Sequence, residues 1–251
     1  YQPVPNQPVI KIVPGKPERF LAVAPTIRDV GEAFEVKFKA EDKWGNPSDQ
    51  CDCQLTVRAS HPIDGLPDTV TLKPGQFAGV ITGLRVHEAA DLVIEFFDEA
   101  GVLQCATNPI RIEPAPVSRH FWGDLHGQSE ETIGTGTAEA YFKFARDRAF
   151  VDITGHQGND FQITTEFWKH LDDLCAAFNE DGHFIVIPGY EWSGNTGLGG
   201  DRIIYFPDEG PVLRRSSPAL LSDHSHLPND CHSATVLFTA FPVTHAADLF
   251  F

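Results

Sequence analysis

Two domains of different class are predicted from this chain: an all-β sandwich over residues 1–115, followed by an α/β domain over 116–251 that is too short for a complete β/α barrel. Three observations predict this. Apolar residues recur with a period of two through the first 115 residues, and segments of helical period enter only after them. The stretch Glu113-Pro-Ala-Pro116 reads as a linker between the two patterns. Beyond it, 30 residues separate His126 from His156 and 35 separate His156 from Glu191, the lengths of successive strand–helix units.

In the first domain Phe34, Val36, Phe38 and Ala40 alternate with Glu35, Lys37 and Lys39. Leu55 with Val57, Val70 with Leu72, and Leu92, Ile94 and Phe96 repeat that pattern. Turn signals separate the runs: Trp44-Gly-Asn-Pro47, Pro62 to Pro67, Lys73-Pro-Gly75 and Asp98-Glu-Ala-Gly101. Short strands at this spacing predict an antiparallel sandwich of immunoglobulin-like architecture. The disulfide and tryptophan hallmark of antibody domains is absent, so only the architecture is inferred.

The second domain opens on Phe121-Trp-Gly-Asp-Leu-His-Gly-Gln-Ser129, read as a strand on which Asp124, His126 and Gln128 share a face. A second strand, Phe150 to His156, places Asp152, Thr154 and His156 in the same way. A third, Phe184 to Glu191, is an apolar run that stops at an acid. Helical period appears between them, at Phe142, Ala145 and Ala149 and again at Phe167, Leu171, Leu174 and Phe178. Thr164 and Thr165 are candidate N-caps of the second helix and Gly182 its stop. The candidate ligands thus fall at the carboxyl ends of strands, the rim where β/α barrels assemble their sites.

Imidazole and carboxylate together suit zinc, manganese or iron, ions that activate water at neutral pH. His126, His156 and Glu191 are therefore the expected metal ligands. Asp124 and Asp152 are expected to orient the imidazoles or to cap strand ends. The segment from about His120 to Arg202 resembles the polymerase and histidinol phosphatase (PHP) superfamily of metal-dependent hydrolases. The resemblance rests on Gly-Asp-Leu-His at 123–126, Asp-Ile-Thr-Gly-His at 152–156 and Pro-Gly-Tyr-Glu-Trp-Ser-Gly-Asn at 188–195. It implies a distorted β/α barrel with metal ligands at His126, His156 and Glu191. Gln128 stands where the family usually has a second histidine, and Gly155 where it has an acid. The resemblance also implies a further acid near Glu130 or Glu131 and later barrel ligands, for which His245 is a candidate.

After Glu191 comes a glycine-rich stretch leading to Arg202, which could grip a carboxylate or phosphate, with Trp192 as a pocket wall. Asp223-His-Ser-His226 reads as part of a solvated loop or lid. The 132 residues from His120 onward are about half of what a barrel takes. With no methionine, even at position 1, the chain is expected to be processed, trimmed or incomplete at its start.

Composition narrows the partners. A formal net charge of −16 gains nothing from counterion release, so nucleic acid is not expected. No apolar run is long enough for a membrane helix. Five cysteines without metal-finger spacing read as reduced thiols in a cytoplasmic setting, with Cys51 and Cys53 on one side of a strand. The expected function is metal-dependent hydrolysis of a phosphoester or another ester or amide in a small molecule, with a homo-oligomer as a possible assembly. A metal-dependent lyase or decarboxylase, or a non-catalytic binding protein, are the alternatives.

Overall fold

A computed structural model describes residues 13–193 and 201–206. The chain divides into two units between His120 and Phe121.

The described part of the first unit is built of ten strands. One antiparallel sheet pairs β1 (Arg19–Val23), β3 (Phe34–Glu41) and β6 (Ala78–Leu84). A second orders β5 (Thr69–Leu72), β4 (Cys53–Ala59), β8 (Ile94–Phe97) and β9 (Leu103–Ala106). The third sets β10 (Ile110–Glu113) between β2 (Ile27–Asp29), parallel to it, and β7 (Ala90–Leu92), antiparallel. All three feed one core, in which Val36, Phe38, Leu55, Leu84, Ile94, Phe96 and Ile110 are buried. Phe38 on the first sheet meets Phe96 on the second with ring centroids 5.4 Å apart. Gly79, opposite Phe38 in the ladder, makes room for that ring: a Cβ at Gly79 would collide with it.

The run Leu92–Phe96 is two strands rather than the one its alternation suggests. At Val93 the chain leaves the β10 ladder and joins β4, where Val93 N–H donates to Ser60 Oγ and Ser60 N–H to Val93 O. The return leg changes sheets at the same level, between β9 and β10. There Asn108 stands in for a ladder residue, accepting from Ala24 N–H at 3.0 Å and donating to Ala24 O at 2.9 Å. The turn after β3 is held by Asp42, whose carboxylate accepts from Asn46, Gly15 and Trp44; these bonds, Asn46's first, hold its pKa well below the usual range. Lys39, expected to face solvent, is buried and paired with Glu41 at 3.1 Å.

The second unit begins with a parallel three-stranded sheet of β11 (Gly123–Gly127), β12 (Ile153–His156) and β13 (Ile185–Val186). Helix α1 (Ala138–Phe144), capped by Thr137, runs into a wide i to i+5 turn over Ala145–Ala149 and lies between β11 and β12 in sequence. Helix α2 (Thr165–Phe178) begins where the sequence places it: Thr164 Oγ1 accepts from Phe167 N–H at 3.0 Å. Its apolar face, Phe167, Trp168, Leu171, Leu174, Cys175 and Phe178, is buried in the unit's core. No helix among the described residues is long and apolar enough to cross a membrane.

The expected β/α barrel is not what the described residues form. Their regular elements are mostly strands, with two α-helices, and the strand–helix alternation stops after β13. Pro188 carries no N–H and breaks the run Phe184–Glu191 into β13 and β14 (Gly189–Trp192). β14 then pairs antiparallel with β15 (Arg202–Tyr205), a return that needs no crossover helix. His245 and Asp223 to His226 lie outside the described residues.

Candidate functional site

β11 is irregular where its chemistry sits. Its register against β12 slips between Asp124 and Gly127, and two tyrosines take carbonyls there. Tyr205 Oη donates to Leu125 O at 2.8 Å. Tyr141, brought over Gly127 by α1, reaches Asp124 O at 3.3 Å and Thr154 Oγ1 at 2.7 Å, while Thr154 Oγ1 itself donates to Asp124 O at 2.8 Å. Gly127 permits this, since any Cβ there would run into the Tyr141 ring. Burial raises the pKa of both phenols, that of Tyr205 to about 12, so both act as neutral hydrogen-bonding groups.

The slip projects His126 toward β14. His126 Nε2 lies 3.3 Å from Glu191 Oε2, with the imidazole 41% exposed and the carboxylate 9%. Glu191 Oε1 accepts from Asn159 Nδ2 at 3.0 Å, and the same amide nitrogen donates to Ser193 Oγ at 2.9 Å. Asp160, fully buried, accepts from Ser193 N–H at 3.1 Å. The hydrogen bond to Glu191 raises the His126 pKa, against the opposing effect of burial. Asp201 also bonds Glu191, and burial, then that neighbouring charge, raises its pKa. With Nε2–H directed at Glu191, the lone pair of His126 resides on Nδ1.

His156 makes a different set of bonds. It is 1% exposed, its Nδ1 accepts from Gly158 N–H at 3.2 Å, and its Nε2 lies 2.7 Å from Ser129 Oγ. The first bond fixes the tautomer: Nδ1 is the acceptor, so Nε2–H donates to Ser129. Both nitrogens are therefore occupied, and Ser129 receives a proton bond rather than losing one. The ring also meets Phe167 of α2 edge-on at 5.5 Å. Burial lowers the His156 pKa to about 4.

The three expected ligands therefore do not converge. Among the described residues no group of three or more His, Cys, Asp or Glu side chains is arranged to hold a metal ion. The reason is local: α2 and Ser129 claim the His156 ring, while the β11 slip sends His126 to β14. Gln128 lies past the strand end and is used within the loop, accepting from Thr132 Oγ1 at 2.7 Å and contacting Asn159 at 3.4 Å. Asp152 accepts from Trp122 N–H at 2.8 Å, and Asp124 Oδ1 accepts from His126 N–H at 3.2 Å, so both bond backbone near the start and middle of β11. Glu131 is exposed. At Gly155, where the resemblance implies an acid, a Cβ would sit 3.3 Å from Ile187 O.

Arg202 and Trp192 are paired across the β14–β15 ladder, with the guanidinium 6.0 Å over the indole. Alternation puts them on the face opposite Glu191, the face on which Tyr190 packs against Trp168. Asn159, Ser193 and Asp201 were not singled out by the sequence. The only signal for Asn159 was its place just beyond a strand end.

No family model matches the chain. It is similar to an uncharacterised protein of Chlamydia pneumoniae, 25% identical over 199 residues that make up 78% of this chain and 31% of that protein. Uncharacterised proteins of Chlamydia trachomatis and Chlamydia muridarum are 23% and 22% identical over 173 residues, 67% of this chain and 28% of theirs. The D0-D1 and D00-D0 domains of Intimin align with 37% and 41% of the chain and 47% and 50% of theirs, at 11% and 12% identity and TM-scores of 0.29 and 0.30. The chain thus spans less than a third of the length of the curated relatives it matches.

Proposed function

We propose that the second unit carries the site of a hydrolase acting on an ester, phosphoester or amide bond of a small molecule, with His126 as general base and Glu191 as the carboxylate that orients it. The observation behind this reading is the pair itself: a buried acid, fixed by Asn159, set 3.3 Å from a half-exposed imidazole. Glu191 holds Nε2–H and makes the ring more basic, so Nδ1 can take a proton from water as that water attacks the electrophilic carbon or phosphorus. The strings at 123–126, 152–156 and 188–195 resemble those of PHP hydrolases, which also catalyse hydrolysis. The described residues do not fit the three-ligand ion site that the resemblance implies. The compartment this reading takes is the cytoplasm, which suits Cys51, Cys53, Cys105 and Cys175 as free thiols.

The test is turnover of p-nitrophenyl phosphate, p-nitrophenyl acetate and a p-nitroanilide by the purified chain and two variants. His126→Ala is expected to lower turnover about 10²-fold or more. Glu191→Gln is expected to lower it too and to move the acid limb of the pH profile to lower pH. Equal turnover by the unaltered chain and His126→Ala, or turnover only when zinc, manganese or iron is added, overturns the proposal. No turnover of any probe favours a non-catalytic binding protein.

A further inference from the structure

Cys51 lies just before β4 and Cys53 is its first residue, and the two side chains meet. Cys51 Sγ–H donates to Cys53 Sγ at 3.2 Å. A disulfide needs about 2.05 Å between sulfurs, so the gap to close is about 1 Å. The backbone has freedom to close it: β4 begins at Cys53, and Cys51 and Asp52 precede the ladder. The two thiols differ in access. Cys51 is 3% exposed and Cys53 is partly exposed, with Asp52 between them in solvent.

We propose that Cys51 and Cys53 form a reversible thiol–disulfide couple that exchanges with a small-molecule disulfide. Cys53, the accessible sulfur and the acceptor of the Cys51 hydrogen bond, attacks one sulfur of the small disulfide. The S–S bond of the small molecule breaks, a mixed disulfide forms on Cys53, and one small thiolate leaves and takes up the Cys53 proton. Cys51, already in contact, then attacks the Cys53 sulfur and expels the second small thiolate, which takes up the Cys51 proton. In sum, two protein thiols are oxidised to one disulfide and one small disulfide is reduced to two thiols. Burial pushes the Cys51 thiol up to about 12, consistent with its acting second, after the mixed disulfide has brought a reactive sulfur against it.

The whole chain, fully reduced, is incubated with oxidised glutathione, quenched by alkylation and mapped by peptide mass spectrometry. The expected product is a peptide containing residues 51–53 that is lighter by two hydrogens and carries no alkyl group, and reduced glutathione in excess reverses it. Cys51→Ser is expected to stop at a glutathione adduct on Cys53, whereas Cys53→Ser is expected to leave Cys51 unmodified. Alkylation of both thiols in the unaltered chain, a mixed disulfide that persists at Cys53 there, or an adduct on Cys51 in Cys53→Ser would each overturn the couple. Circular dichroism of the reduced variants confirms that each is folded before it is scored.

Discussion

Phe96→Ala is expected to destabilise the first unit by about 3–5 kcal/mol, the cost of deleting a fully buried phenyl ring. Phe96 sits on β8, a central strand of its sheet, and is the partner of Phe38 across the core. Its loss removes apolar burial and the ring pair together. The void resists collapse, because Phe38 is already seated over Gly79 and the strands on both sides are held by ladders. Urea unfolding followed by far-ultraviolet circular dichroism would show the midpoint falling with an unchanged slope. A shift below about 1 kcal/mol would mean that Phe96 is not enclosed as described.

The second unit is expected to lose about 3 kcal/mol between pH 7 and pH 4 through His156 alone. Burial holds this imidazole at about 4 in the folded chain against an ordinary 6.5. The unfolded chain therefore binds a proton through a range in which the folded chain does not. The sign follows: the contribution is complete above pH 6.5 and is lost as pH falls to about 4. His156→Gln retains a donor for Ser129 but cannot titrate, so its stability should fall less steeply over that range. Trp168, buried against Tyr190 in the same core, provides the fluorescence signal for urea unfolding at each pH. Parallel pH curves for the two proteins would contradict the assignment.

What the sequence could express was periodicity and punctuation. The alternation of Phe34 to Ala40 became β3, and Thr164 caps α2 as its position suggests. Alternation also put His126 and Glu191 at strand ends, where they do meet. A period of two names a face but not the neighbour waiting there. That is why His156 was read as a ligand when Ser129, Gly158 and Phe167 enclose it. Gln128 was lost from the shared face because the β11 slip is a tertiary event, stabilised by Tyr141 and Tyr205 from distant elements. Leu92, Ile94 and Phe96 keep the period of two through a change of sheet, since the bend at Val93 is set by Ser60, which is distant in sequence. Pro188 was in plain view, but the antiparallel return it precedes depends on β15.

The bent hairpin of the first unit has a dynamic corollary. β7 and β8 are one continuous leg and β9 and β10 the other, so the ladders on either side of the bend share covalent chain, and Asn108 ties that bend to the end of β1. Neither sheet can open at the bend without straining the other. Amide protons on the two sides of Val93 therefore belong to a single cooperative opening unit, exchanging with solvent at one common free energy rather than sheet by sheet.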